Sequence, residues 1–190
     1  MNNVDPAKLR RSRMSLLLIA LVFAAPMLVA LLLSYTGWQP GVKGNGLPIT
    51  PQRNFADEHL QVRLENGQSW PWRDSEPRLT LIALAGPDCA THCFDVLTGM
   101  AKARVMLNRN QGRLRLLYLG TPPADAQRVA AMRTFWTLGT DVDGKLASFA
   151  PTTPDSVSLI LVESDGTALS RYPEGFDGPG AARDLQKVIK

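Results

Sequence analysis

Leu79-Thr-Leu-Ile-Ala-Leu-Ala85 runs straight into Gly86-Pro87-Asp88-Cys89-Ala90-Thr91-His92-Cys93. The first seven residues are an apolar run of strand length, and Gly86-Pro87 stops it. From Cys89 to about Asn108 the apolar positions Cys93, Val96, Leu97, Met100, Val105 and Met106 recur at helical spacing. A buried strand therefore turns into a helix at a pair of cysteines. Downstream, Leu114–Leu119 repeats the strand pattern and ends at Gly120-Thr-Pro-Pro. Pro123 suits the first turn of a second helix, carried by Val129, Met132 and Phe135 to about Leu138. Val157–Val162 is a third apolar run, turned by Ser164-Asp165-Gly166 into Ala168–Tyr172, and Ala181–Ile189 is a short last helix. Upstream, Gln61–Glu65 reads as a strand before an Asn66-Gly67 turn.

This order of elements is that of an α/β, thioredoxin-like fold: a central mixed sheet, parallel with one antiparallel edge, flanked by helices. A chain of 190 residues with 45% hydrophobic and 20% charged residues has room for one such domain and little more. His59 and His92 are the only histidines, so a zinc site built on several imidazoles is excluded. The net charge is +4, but Lys8, Arg10, Arg11 and Arg13 against Asp5 account for +3 of it. The remainder is nearly balanced, at 17 basic against 16 acidic residues. A nucleic-acid partner would need a basic face on the folded domain, and none is expected.

Leu16 to Leu33 holds eighteen residues without a polar side chain. At about 1.5 Å per residue that is roughly 27 Å, the thickness of a bilayer's hydrocarbon core. Tyr35 and Trp38 follow as interfacial aromatics, and Pro26 is tolerable inside a membrane helix. The alternative is a cleaved signal peptide with a site near Val22-Phe23-Ala24. Apolar residues continue well past that point, which favours a retained anchor. The basic residues precede the segment, so the tail faces the cytoplasm and the rest is exported. The expected organisation is a basic cytoplasmic tail (1–14), a transmembrane anchor (15–36), a Gly/Pro-rich tether (37–55) and a periplasmic domain (56–190) at a bacterial inner membrane.

The chemistry is expected at Cys89 and Cys93. Residues four apart share a helix face, so both sulfurs point the same way if the helix starts near Cys89. A helix N-terminus favours thiolate, which serves as nucleophile or as ligand for a soft ion such as Cu(I). The same pair can cycle between dithiol and disulfide. The plainer alternative is a static disulfide bracing the helix start. A bridge closing only five residues stabilises little, which favours function. His92 lies within the motif, close enough to ligate a metal or acidify a thiol, or else it is simply an exposed polar residue. Met100, Trp70, Trp72 and Trp136 read as packing residues, and His59 has no role.

These residues resemble the Sco/SenC family of membrane-anchored, thioredoxin-fold copper proteins of cytochrome c oxidase assembly. The resemblance covers roughly Leu60 to Lys190 and the single anchor. Members carry a Cys-x-x-x-Cys after the first core strand, as Cys89 and Cys93 do here, and a distal His before a later strand that ends in an Asp-x-x-Gly-like turn. Here Gly166 closes that turn, and eleven positions before it stands Asp155, followed by the matching Ser156 and apolar strand. The family His is thus an Asp. The Pro that follows each family Cys is replaced by Ala90 and Phe94.

The resemblance implies an oxidase-assembly accessory protein, with Cys89 and Cys93 as catalytic dithiol or Cu(I) ligands. His92 and Asp155 are the further candidate ligands. A carboxylate in place of imidazole is a poor partner for Cu(I), so the copper role weakens while the redox role stands. An acidic Asp155 beside the pair would raise thiol pKa. The implied partners are an oxidase subunit or other assembly factors, besides the membrane. The competing class is a non-catalytic interaction module that binds an oxidase subunit with its disulfide closed. A general thiol oxidoreductase is disfavoured because Cys-x-x-Cys is absent.

Overall fold

The computed structural model describes residues 6–36 and 44–189, which fall into two units. Residues 1–5 of the tail, residues 37–43 of the expected tether and Trp38 lie outside the described residues. In the first unit, helix α1 spans Pro6–Thr36 with Pro26 inside it. Its stretch Met14–Tyr35 is long and apolar enough to cross a membrane, with a mean hydropathy of 3.0. Large side chains such as Leu21, Phe23, Met27 and Leu31 are exposed along it.

The second unit contains seven strands: β1 (Leu47–Pro48), β2 (Val62–Leu64), β3 (Leu79–Ala85), β4 (Leu114–Leu119), β5 (Thr137–Asp141), β6 (Val157–Val162) and β7 (Ala168–Tyr172). They form one sheet in the order β1-β7-β6-β3-β4-β5-β2. β3, β4 and β5 are parallel, while β6, β7, β1 and β2 each join antiparallel. The sheet is mixed as expected, but its antiparallel part is much larger than one edge. Helices α2 (Thr91–Met106), α3 (Ala126–Arg133) and α4 (Gly178–Val188) complete the unit.

β3 lies at the centre, with Leu81 level with Leu116 on one side and Leu161 on the other. Side chains alternate between faces along a strand. Leu81, Ala83, Leu116, Tyr118, Leu159 and Leu161 therefore point to the face carrying α2, α3 and α4. Ile82, Leu84, Leu117, Leu119 and Ile160 point to the other, where they meet Phe55, Leu60, Trp70, Trp72 and Leu146. That second face is covered by irregular chain and one 3-10 turn, Ala147–Phe149, while all three α-helices sit on the other side. Each fully buried aliphatic side chain contributes about 1.5–3 kcal/mol, which makes both faces matter to stability.

Two segments fold differently from the pattern of their sequence. The helix expected to run to Leu138 stops at Arg133, and Thr137–Asp141 forms β5 beside β4. Leu138 and Gly139 are buried, since pairing with β4 in the sheet outweighs the helical spacing of Val129, Met132 and Phe135. The second half of the expected tether belongs to the folded unit. Leu47 and Pro48 pair with β7, Asn45 is hydrogen-bonded to Asp184 of α4, and Phe55 is wholly buried. The Gly and Pro residues between 44 and 51 break helical pattern without releasing the chain from the domain.

Candidate functional site

Cys89 and Cys93 form a disulfide with Cα atoms 5.1 Å apart, at the point where β3 gives way to α2. The helix begins at Thr91, so Cys89 precedes it and only Cys93 lies on it. The two sulfurs meet across the irregular 86–90 segment that leads from β3 into the helix. Cys93 is fully buried and Cys89 is 5% exposed, so solvent reaches the pair only at Cys89. Met100 and Leu97 lie beneath Cys93 in the same core cluster, and Trp136 donates its indole N–H to the Leu97 carbonyl. Met100 and the three tryptophans thus pack as expected.

The start of α2 has no local cap: Ala90 stands at the N-cap position and supplies no acceptor. The orphan N–H groups are taken instead by Asp155. Its Oδ1 accepts from the Ala90 N–H at 2.8 Å and from the Cys93 N–H at 2.9 Å, and Oδ2 accepts from the His92 N–H at 2.9 Å. The Asp155 N–H in turn donates to Asp88 Oδ1 at 2.8 Å. Asp155 sits at φ 53°, a left-handed conformation that Asp adopts more readily than bulkier residues. Burial works against its charge, but the three backbone N–H groups and nearby His92 outweigh it and hold the carboxyl below its ordinary value.

The loop bearing Asp155 is fastened to the motif at further points. The Gly86 N–H donates to the Ser156 carbonyl at 2.9 Å, and Ser156 Oγ donates to the Thr153 carbonyl. A Cβ on Gly86 would run into that Thr153 carbonyl, so the close approach of the two loops requires glycine there. From the other side, Arg128 of α3 donates to the Ala90 carbonyl at 3.1 Å and stacks over Phe94 at 5.3 Å. Sequence reading missed Arg128, because nothing in its local pattern marks it. His92 is exposed, with its backbone N–H committed to Asp155. His59 is exposed in a turn of the folded unit, at φ 51°, remote in sequence from the motif.

Asp155, the position that the resemblance gave for the family His, therefore stands at the start of α2, where its carboxylate accepts backbone hydrogen bonds. One oxygen accepts two hydrogen bonds and the other accepts one. Among the described residues no group of three or more His, Cys, Asp or Glu side chains is placed to hold a metal ion. After reduction, two soft thiolates would remain as donors, a set that fits Cu(I) in two-coordination and not a three-ligand site.

Residues 79–190 match the family described as the transmembrane-like, thioredoxin-like, C-terminal domain. No curated protein matches the chain. Among solved structures it is similar to copper-bound ScoI of Arabidopsis thaliana, at 15% identity and a TM-score of 0.51, over 77% of this chain and 98% of that one. Copper-bound ScoI of Bradyrhizobium japonicum is similar at 14% identity, 76% and 99% coverage and a TM-score of 0.48. A Xanthomonas campestris bacterioferritin comigratory protein, studied for alkyl peroxide reduction, is similar at 14% identity, 77% and 98% coverage and a TM-score of 0.49. The expected likeness to Sco proteins is thus present as a likeness of fold, at a sequence distance that fits the changed residues around Cys89 and Cys93. With more than half of its length matched, the chain belongs to the transmembrane-like, thioredoxin-like family.

Proposed function

We propose that this chain is a membrane-anchored, periplasmic accessory protein of cytochrome c oxidase assembly whose Cys89–Cys93 pair exchanges between dithiol and disulfide with a client. The observation that carries this reading is the placement of the pair: a disulfide at the mouth of a thioredoxin-like fold, closed over a helix start, with only Cys89 touching solvent. Cys89 is then the attacking sulfur. Its thiolate bonds to one sulfur of a client disulfide, and the other client sulfur leaves as thiolate. Cys93 then attacks Cys89, closing the intramolecular disulfide and releasing the second client thiolate. Two electrons pass to the client, and the reverse sequence oxidises a client dithiol.

Copper enters this reading as cargo. Reduced Cys89 and Cys93 would hold Cu(I) between two sulfurs, with Asp155 kept on the helix start. The rival class, a module with a permanently closed disulfide, is favoured by one observation: both cysteines are nearly or wholly buried.

The test is complementation of a deletion strain, read as aa3-type oxidase activity. The parent chain restores it and Cys89→Ser/Cys93→Ser does not. Full restoration by the double variant would assign the protein to the module class. An anaerobic Cu(I) competition titration of the reduced chain separates the two thiol roles. One equivalent bound, and lost in the double variant, supports cargo; no binding above the variant leaves thiol exchange alone.

A further inference from the structure

A groove of about 570 Å³ runs between α2 and α3. One wall is the α2 stripe Phe94, Thr98, Ala101 and Val105, positions that share a helix face. The other wall is formed by Met132 and Phe135. Its floor is closed by buried Leu97 and Trp136, but the rim is not. Val105, Met106 and Phe135 are 47%, 56% and 41% exposed. Isolated exposed apolar residues are ordinary; three of them around one apolar trough are a binding feature.

No acidic side chain lines this groove, and its one charged lining residue is Lys102. Lys102 is exposed and, among the described residues, has no acidic partner. At the motif end, Arg128 stacks over Phe94, the residue that follows Cys93. The span from Phe94 to Met106 is about 18 Å at 1.5 Å per residue, or roughly three helical turns. A trough between two helices is the seat of a third helix, whose side chains form a ridge that fills it. A flat bilayer surface does not enter a concave trough, and with Lys102 as its one charged lining residue the trough is complementary to an apolar segment that carries an acidic side chain.

We propose that the α2–α3 groove seats a short amphipathic helix of the client protein, apolar on its seated face, with an acidic side chain opposite Lys102 and one end beside the Cys89–Cys93 motif. This rests on the exchange reading for its client, but the groove's occupancy can be measured without any thiol chemistry.

The experiment uses the full chain in nanodiscs and a fluorescein-labelled fourteen-residue Leu/Glu amphipathic peptide, with its Leu/Lys counterpart beside it. The Leu/Glu peptide binds, and Met106→Ser/Phe135→Ser weakens it about tenfold, the effect of losing a small apolar hot spot. Lys102→Glu reverses the preference to the Leu/Lys peptide. Both substitutions change exposed residues, and parent-like melting curves confirm that the variants are folded. Cys89→Ser/Cys93→Ser binds the peptide like the parent while losing thiol exchange. Peptide binding in a chain that exchanges with no disulfide would overturn the exchange reading and leave the groove site standing. Equal binding of the two peptides, or binding unchanged by the groove substitutions, overturns the groove proposal. A full-chain dimer abolished by Met106→Ser/Phe135→Ser would also overturn it, by assigning the groove to a second copy.

Discussion

The carboxylate of Asp155 accepts a hydrogen bond from the backbone N–H of Cys93, 62 residues away in sequence, and two more from Ala90 and His92. A helix start normally lends positive potential to a cysteine placed on it. Here that potential is met by a full negative charge delivered from the loop before β6. The arrangement stabilises the helix start and works against thiolate at the same site. Loss of that charge should therefore make the reduced pair more acidic. In Asp155→Asn the thiol pKa of the reduced protein is expected to fall relative to the parent, and the disulfide to become easier to reduce. Thiolate absorbance against pH and a glutathione redox titration read the two effects. An unchanged or higher thiol pKa would mean that Asp155 does not act on the thiols electrostatically. Asp155→Ala, which removes the acceptors altogether, is expected to cost about 0.5–2 kcal/mol of stability, as loss of an N-cap does.

The same contact sets an acid limit. Against the opposition of burial, the three backbone N–H groups hold the Asp155 carboxyl below its ordinary 3.8. A carboxyl whose pKa is lower folded than unfolded adds stability above the unfolded value. That stability is lost as pH falls from about 5 through the folded value. Urea midpoints of the parent should drop over that window. Asp155→Asn, already lacking the charge, should fall less steeply there and be less stable at pH 7. Parallel curves would show that other carboxylates carry the whole acid response.

The strand-to-helix transition at Cys89 and the core runs at β3, β4, β6 and β7 were legible because a short apolar run bounded by Gly and Pro fits a buried strand and little else. β5 was not. Thr137–Asp141 carries a glycine and two threonines and continues the helical spacing of α3, so only its partners β4 and β2 make it a strand. β1 is two residues long and has no pattern to read. Of the site, the cysteines could be named from their place between strand and helix and Asp155 from the family resemblance, but the cap could not. It depends on φ 53° at Asp155 and on loops crossing at Gly86, both consequences of tertiary contact. Arg128 was invisible for the same reason: its partners, Ala90 and Phe94, belong to another element.

Arg128 should act as a clasp on the turn that carries Cys89. Its guanidinium holds the Ala90 carbonyl and the face of Phe94 while pairing with Asp125 at 3.7 Å. An exposed cation–π contact contributes about 0.5–1 kcal/mol, so Arg128→Ala is expected to melt only slightly below the parent. The larger expected effect is kinetic: dithiothreitol should reduce the Cys89–Cys93 disulfide faster once the turn is released. Arg128→Lys keeps the charge but loses planar stacking, and should fall between the two. Identical reduction rates in all three proteins would show that the turn holds itself.

The folded unit begins at Gly44, well before residue 56. Phe55 is fully buried, edge-on to Trp72 with ring centroids 5.3 Å apart, and its N–H donates to the Gly166 carbonyl at 2.8 Å. Ile49 is buried in the same cluster, and Asn45 ties the chain to Asp184. If residues 44–55 were a tether, their removal would cost nothing. As part of the second core they should cost several kcal/mol, since truncating one buried Phe alone removes about 3–5 kcal/mol. A fragment of residues 44–190 is therefore expected to unfold cooperatively in urea. A fragment of residues 57–190 should unfold at much lower urea or be unfolded from the start, and Phe55→Ala in the longer fragment should lie between them. Equal midpoints for the two fragments would return residues 44–55 to the tether.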